Sequence, residues 1–124
     1  MCGFIAAFSE SADLEQPVRL AMQRLHRRGP DAEALWQEPG VCLGHRRLAI
    51  IDLDARAAQP MPSACGRYLM VYNGEIYNFS ILRDELARQG HTFRTTSDTE
   101  VILALFAAEG EAMLPRLHGM FALV

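Results

Sequence analysis

A short apolar run near the start of the chain constrains the fold more than any other segment. Residues 4–8 read Phe-Ile-Ala-Ala-Phe, and a continuous run of this length is typical of a strand that is buried on both faces. We therefore expect a strand that holds the preceding Cys2 rigidly at the edge of the hydrophobic core. The chain has 124 residues, half of them hydrophobic, which suits one domain with a modest core.

Helical spacing of apolar residues recurs along the rest of the chain. Pro17 suits the first turn of a helix whose apolar positions are 18, 21, 22 and 25. A second helix is predicted after Asn78 or Ser80, with Gly90 as its stop. Residues 97–100, Ser-Asp-Thr-Glu, form a capping-box pattern before a third helix, and a short helix is expected over residues 111–117.

Strand patterns alternate with these helices. Residues 34–37 and 41–46 predict a hairpin joined through Pro39 and Gly40, and residues 48–52 continue as an extended apolar segment. Residues 68–72 predict a strand that the Asn-Gly dipeptide at 73–74 ends abruptly. Further short strands are expected at residues 92–95 and 120–124, whereas the prolines at 60 and 62 exclude a central strand there.

Composition excludes several function classes. All 12 basic residues are arginine, so a Schiff-base lysine and a Walker-type phosphate lysine are absent from these residues. The net charge of −3 argues against a nucleic-acid surface. The three cysteines are an odd number without C-x-x-C spacing, and the four histidines are scattered, so we expect neither disulfides nor a metal site. With no signal-peptide pattern and no membrane-spanning run, a cytoplasmic protein without a membrane partner is expected.

Cys2 is the first candidate for chemistry. If Met1 is removed, Cys2 carries a thiol and a free α-amine on the same Cα, which is a nucleophile with its own base. The alternative is that Cys2 is a small buried hydrophobe, as most free cysteines are.

The Asn-Gly dipeptide can supply the donors that such a nucleophile needs. A thiolate that attacks an amide carbonyl creates an oxyanion, and the Asn73 side-chain amide and the Gly74 N–H could both donate to it. The alternative is a simple turn, since Asn-Gly is a common turn dipeptide.

Charged residues suggest a site for an amino acid. Arg46 or Arg47 could clamp a carboxylate with a planar two-donor fork, and alternation places the two on opposite faces of a strand. Asp98 with Glu75 could hold an ammonium group. The alternatives are a solvated arginine and a carboxylate that only stabilises a helix start. Residues 27–31 form a rigid loop whose simplest interpretation is a helix–strand connection.

Taken together, these segments resemble one family. In order and approximate spacing, six segments of the chain resemble the N-terminal glutaminase domain of glutamine-hydrolysing asparagine synthetases. They are Met-Cys-Gly at 1–3, Arg-Gly-Pro-Asp at 28–31, His-Arg-Arg-Leu at 45–48, Asn-Gly-Glu-Ile-Tyr-Asn at 73–78, Ser-Asp-Thr-Glu at 97–100 and Gly-Met-Phe-Ala at 119–122. These are class II, N-terminal-nucleophile glutamine amidotransferases. The sugar-phosphate and phosphoribosyl amidotransferases share the N-terminal cysteine but differ after the Asn-Gly.

The resemblance implies a role for each matched residue. Cys2 would be the nucleophile, with Asn73 and Gly74 as the oxyanion hole. Arg47 would bind the α-carboxylate of L-glutamine, and Asp98 and Glu75 its α-ammonium. Backbone groups near Leu48 and Ile50 would line the pocket. The reaction would be amide hydrolysis through a thioester, giving glutamate and ammonia.

The same resemblance implies the fold and the partners. It implies an α+β, four-layer αββα sandwich of two antiparallel sheets, here a partial domain over residues 1–124 whose later strands are missing. ATP and Mg²⁺ would belong only to an absent synthetase domain, and this chain would need no cofactor. Unpaired strand edges near residues 68–72 or 120–124 would favour self-association.

Two substitutions depart from the family pattern. Arg27 stands where the family usually has histidine, next to His26, and Ala6 replaces a frequent glycine. Two alternatives to a glutaminase of the asparagine synthetase type stay open. One is a non-catalytic interaction module with the same fold, and the other is the glutaminase of a different class II amidotransferase.

Overall fold

A computed structural model describes residues 2–50 and 52–124 of the chain. Met1, whose removal the chemistry of Cys2 assumes, and Ile51, within the predicted extended segment 48–52, lie outside the described residues. The helices and strands run in the order β1 Gly3–Phe8, α1 Glu15–Arg24, β2 Ala32–Glu38, β3 Val41–Arg47, a 3-10 helix Ala55–Ala57, β4 Met61–Pro62, β5 Leu69–Met70, β6 Tyr72–Ile76, α2 Phe79–Arg88, α3 Asp98–Glu109, a 3-10 helix Gly110–Arg116, and β7 Gly119–Leu123.

The strands form three antiparallel sheets, in the orders β1-β3-β2, β4-β5 and β6-β7. Together with the helices they confirm the predicted α+β class. Helix α1 packs on β1 and β3, β1 contacts β6, and α3 contacts both β6 and α2. The predicted hairpin is confirmed, since Glu38 pairs with Val41 across the two-residue turn at 39–40.

Two groups of buried side chains stabilise this arrangement. Val18 and Met22 of α1 pack against Cys42 of β3. A larger cluster joins α2 and α3 to β6, with Ile76, Leu86 and Ile102 at its centre. Helices α2 and α3 have the apolar spacing that the sequence predicted. Helix α1 begins at Glu15, so that Pro17 lies in its first turn.

Strand β1 is present, but the prediction that both of its faces are buried is wrong. Residues 4–7 are only partly buried, and Phe8 is 66% exposed. Within the described residues β1 pairs only with β3 and lies at the edge of its sheet. An edge position leaves part of an apolar strand open to solvent, and periodicity alone does not reveal it.

The segment after β3 is held by groups from elsewhere in the chain, since Leu48 N–H donates to Cys2 Sγ and Ala49 N–H donates to Asp31. One further strand prediction is wrong because the backbone donors are used elsewhere. Residues 92–95 form no strand. The Glu100 carboxylate accepts the N–H groups of residues 94 and 95 and so ties this segment to the start of α3.

Strand β6 runs through the Asn-Gly dipeptide, which the sequence analysis placed at the end of a strand. Gly74 pairs with Phe121 of β7. A Cβ on Gly74 would overlap the backbone oxygen of Met120, so the glycine is required by close strand approach and not by a turn. The two segments expected to have unpaired edges pair with each other on one side, since Val71 and Val124 exchange both backbone hydrogen bonds. The other edge of β7 pairs with no strand of the described residues.

The helix starts follow the predicted capping residues with one difference. Ser97 caps α3 by accepting Glu100 N–H, as the capping pattern predicted. Asn78 occupies the cap position of α2, but its side chain bonds Arg116 O and His118 N–H instead of capping. Gly90 follows α2 with a positive φ of 95°, in agreement with its predicted role as a stop. None of the described helices is both long and apolar enough to cross a membrane.

Candidate active site

One cavity of about 160 Å³ brings the predicted site residues together. Strand β3, the segment after it, β6 and the start of α3 form its walls. All eight residues singled out by the sequence line it: Cys2, Arg47, Leu48, Ile50, Asn73, Gly74, Glu75 and Asp98. Their individual roles stay predictions, but their convergence from four separate segments is a property of the structure.

Cys2 is held at the cavity by backbone groups. Its Sγ accepts Leu48 N–H at 3.2 Å and lies 3.4 Å from Leu48 O, and Arg28 Nε donates to the Cys2 carbonyl at 3.1 Å. The side chain is partly buried. The backbone of Leu48 therefore fixes the thiol.

The loop at residues 28–31 positions this wall of the cavity. Arg46 Nε donates to Gly29 O at 3.1 Å, and Asp31 N–H donates to Arg47 O at 3.0 Å. A Cβ on Gly29 would overlap the backbone of Arg46, so the loop lies flat against β3. Asp31 also accepts Ala49 N–H. The loop is thus more than a connection, because it holds both Cys2 and the segment after β3.

Strand pairing leaves the Gly74 N–H directed away from β7. Hydrogen bonds alternate along an antiparallel pair, and Val71 exchanges both bonds with Val124. With the observed register, the N–H groups of Tyr72, Gly74 and Ile76 therefore point away from β7. Tyr72 N–H donates to Gln59, and Ile76 N–H donates to Asp98 at 3.2 Å. No side chain of the described residues accepts the Gly74 N–H, which leaves this donor available to a ligand.

Asn73 supplies a second available donor beside it. Its partly buried side chain lines the cavity, and in the described part of the chain its amide makes no hydrogen bond. Asn78, the other asparagine of the same motif, is by contrast fully engaged with residues 116 and 118. The two asparagines of one motif therefore differ in their hydrogen bonding.

Asp98 presents a buried carboxylate that lacks a cationic partner. It is 5% exposed, and its Oδ2 accepts the Tyr72 hydroxyl at 2.8 Å and the Ile76 N–H at 3.2 Å. Among residues 2–50 and 52–124 it forms no ion pair. A buried charge is costly unless it is paired, so this end of the cavity favours a cationic ligand group.

The two neighbouring arginines lie on opposite faces of β3. Arg46 faces the loop at 28–31, where it also contacts Glu33 and His26. Arg47 lines the cavity, and its guanidinium donates to the carbonyls of Asp54, at 3.0 Å, and Asp52. A guanidinium has five N–H donors, so two bonds to this loop leave further donors for a carboxylate.

Polar residues that the sequence analysis did not single out complete the site. Asp52 accepts Thr96 N–H at 2.7 Å and so ties the segment after β3 to the start of α3. This bond lowers the pKa of Asp52 below its ordinary value. Gln59, Tyr72 and His45 also line the cavity. Nothing in their local sequence marks them, except that His45 shares the face of β3 with Arg47 by strand alternation.

His45 is the most deeply buried of these residues. It is 1% exposed, and within the described residues its Nε2 has no hydrogen-bond partner. Burial, with a smaller contribution from Arg47, lowers the pKa of His45 from 6.5 to about 4. The imidazole is therefore neutral at pH 7.

The lowered pKa of His45 predicts acid sensitivity of the fold. The unfolded chain binds a proton at this histidine below pH 6.5, whereas the folded chain does so only near pH 4. Stability is therefore lost as the pH falls from about 6.5 to about 4, by about 3 kcal/mol at 1.36 kcal/mol per pKa unit. Denaturant unfolding at pH 7, 5.5 and 4 gives the free energy of unfolding of the wild type and of His45→Gln, and the difference between the two proteins should shrink or reverse as the pH falls. A difference in free energy of unfolding that does not change with pH would contradict this prediction.

Comparison with known proteins assigns the chain to a family. A family profile for the glutamine amidotransferase domain matches residues 1–124. The chain belongs to the glutamine amidotransferase domain family. The family predicted from the sequence motifs is thereby confirmed.

Three relatives indicate which kind of glutamine amidotransferase the chain resembles. The domain is 40% identical to asparagine synthetase (glutamine-hydrolysing) 1 of Bacillus subtilis, over 98% of this chain and 20% of the relative. It is 38% identical to asparagine synthetase B of Escherichia coli, over 98% of this chain and 22% of that protein. With asparagine synthetase 3 of Bacillus subtilis the identity is 44%, over 79% of the chain and 16% of the relative. The glutamine amidotransferase domain described here thus spans about one fifth of the relatives it matches.

Proposed function

We propose that this chain hydrolyses glutamine to glutamate and ammonia, as the glutaminase part of an asparagine synthetase-like protein. One observation carries the proposal: the Cys2 thiol shares a single cavity with the Asn73 amide and the Gly74 N–H, two donors without an acceptor among the described residues. A nucleophile next to fixed donors is the arrangement that acyl transfer requires. The relatives are named as glutamine-hydrolysing synthetases, which agrees with this reaction.

The cavity has groups suited to bind both the α-ammonium and the α-carboxylate of glutamine. Asp98, buried and without a cationic partner among the described residues, would receive the α-ammonium together with the exposed Glu75. The remaining donors of Arg47 would receive the α-carboxylate. The side-chain amide would then lie between Cys2 and the donors of β6, with Ile50, 69% exposed, covering the rim.

The reaction would proceed in two steps. After removal of Met1 the α-amine of Cys2 takes the thiol proton, and the sulfur attacks the amide carbon. The oxyanion accepts hydrogen bonds from Asn73 and Gly74, and ammonia leaves with the proton to give a thioester. Water then attacks the thioester through a second oxyanion held by the same donors. Glutamate is released and the thiol is restored.

The arrangement of layers and the partners are part of the same proposal. Contacts of α1 with β1 and β3, of β1 with β6, and of β6 with α3 support a four-layer αββα sandwich. By analogy with the relatives, the ammonia would serve a synthetase domain that uses ATP and Mg²⁺. Edge strands such as β7, which pairs only with β6 in the described residues, would support self-association.

Labelling with a glutamine-like electrophile tests the function directly. Diazo-oxo-norleucine should add once, at Cys2 of a chain that has lost Met1, and excess glutamine should protect against it. Glutamate release from glutamine should be abolished in parallel. The exposed Cys65, whose pKa is lowered by the Ser63 hydroxyl, is the thiol at which unselective labelling is expected. Labelling spread over all three thiols, with no glutamate release, would contradict the proposal and favour the non-catalytic module.

A further inference from the structure

A closed set of hydrogen bonds stands behind the Asp98 carboxylate. The Tyr72 hydroxyl donates to Asp98 Oδ2 at 2.8 Å, and the Tyr72 backbone N–H donates to Gln59 Oε1. Gln59 Nε2 in turn donates to Thr99 Oγ1 at 3.3 Å, and Thr99 is the residue after Asp98 on α3. Tyr72 is therefore held at both its backbone and its ring, between β6 and the start of α3.

This arrangement uses one oxygen of the Asp98 carboxylate for hydrogen bonds within the protein and leaves the other oxygen without a donor from the described residues. Both hydrogen bonds that the described residues make to the Asp98 side chain end on Oδ2. Two donors on one oxygen fix the rotation of the carboxylate plane. Asp98 Oδ1 is then the oxygen that remains for a ligand in the cavity.

Tyr72 is suited to this task because its hydroxyl remains a donor. Tyr72 is 3% exposed, and burial together with the neighbouring Asp98 raises the pKa of its phenol well above the ordinary value. The proton therefore stays on the phenol oxygen at neutral pH, where the hydroxyl donates to Asp98.

We propose that Tyr72 is a positioning residue that orients the Asp98 carboxylate so that its Oδ1 receives the α-ammonium group of the substrate. Tyr72 thereby makes the site selective for an α-amino acid over the same amide without its amino group. The inference rests on the proposed glutaminase function and adds to it a residue that the sequence motifs do not single out.

The test compares glutamine with glutaramate, which is glutamine without its α-amino group. Tyr72→Phe removes only the hydroxyl and keeps the ring, so the cavity keeps its shape. We expect the KM for glutamine to rise about tenfold, with kcat within about threefold of the wild type, since a hydrogen bond to a charged group is lost. The inhibition constant of glutaramate should stay within about twofold, because that ligand makes no use of Asp98.

Three controls separate positioning from general damage. Tyr68→Phe removes the same group outside the cavity, where within the described residues the hydroxyl accepts a hydrogen bond only from Arg67, and should leave the KM unchanged. 4-Aminophenylalanine at position 72 restores an N–H donor and should return the KM toward that of the wild type. In an Asp98→Asn background, Tyr72→Phe should have no further effect, because both changes act through the same contact. Thermal melts of each variant report whether it is folded.

The outcomes distinguish this proposal from the proposed function. Equal losses for glutamine and glutaramate, or an unchanged KM for glutamine, would overturn the role of Tyr72 while leaving the glutaminase in place. The same conclusion would follow if the aminophenylalanine variant behaved like Tyr72→Phe. A wild-type chain that neither hydrolyses nor binds glutamine would overturn the glutaminase function and the role of Tyr72 with it.

Discussion

Replacement of Cys2 by alanine should lower kcat/KM for glutamine hydrolysis at least about a thousandfold, because the nucleophile is removed while the donors remain. The Leu48 N–H would lose its hydrogen bond to Cys2 Sγ. The neighbouring Ala49 N–H still donates to Asp31, so this segment of the backbone stays in place. Folding stability should therefore change little. Glutamate release measures the loss of activity, and the melting temperature measures the integrity of the fold.

The other two cysteines provide matched controls. Cys65→Ala changes an exposed thiol and should leave both activity and stability unchanged. Cys42→Ala removes a fully buried thiol that packs against Val18 and Met22, so it should lower stability without a selective effect on turnover. Activity in Cys2→Ala within about tenfold of the wild type would exclude the proposed nucleophile, since loss of a nucleophile normally costs far more.

Replacement of Asn73 by alanine should lower kcat about 100- to 1,000-fold, the usual effect of losing one oxyanion donor. In the described part of the chain the Asn73 amide makes no hydrogen bond, so the substitution breaks no observed contact. Stability should stay within about 0.5 kcal/mol of the wild type, as for other substitutions that break no contact. Steady-state kinetics and denaturant unfolding measure the two effects on the same preparation.

The second asparagine of the motif offers the opposite pattern. Asn78 bonds Arg116 O at 2.9 Å and His118 N–H at 3.0 Å, and so links the start of α2 to the segment before β7. Asn78→Ala should lower stability by about 1–3 kcal/mol, with kcat close to that of the wild type. If the two variants lost activity and stability in the same proportion, Asn73 would be a structural residue and not an oxyanion donor.

Much of the secondary structure followed from local patterns. Helices α1, α2 and α3 and the β2–β3 hairpin lie where spacing, caps and turn residues predicted them. The strand predicted at residues 92–95 is absent because the N–H groups of residues 94 and 95 donate to Glu100. Leu48 is held by a group far away in the sequence, since its N–H donates to Cys2 Sγ. A contact between residues 46 positions apart leaves no periodic trace in the sequence.

The Asn-Gly dipeptide shows how one local signal can have two meanings. Its turn propensity suggested that the strand ends there, yet β6 continues because Gly74 allows close approach to β7. That continuation directs the Gly74 N–H away from β7. The residue types of the oxyanion site were therefore readable from the sequence, but the direction of the donor depends on strand register.

The sequence by itself determined the family, the α+β class and the eight residues that line the cavity, because these depend on residue identity and order. Alternation along β3 separated Arg46 from Arg47 but could not say which of them faces the cavity. The family resemblance selected Arg47, and the tertiary structure places Arg47 at the cavity and Arg46 against Gly29. It alone also buried His45 and joined Tyr72 to Asp98 across 26 positions of the chain. Burial and hydrogen-bond partners are set by packing between distant segments, which no local pattern encodes.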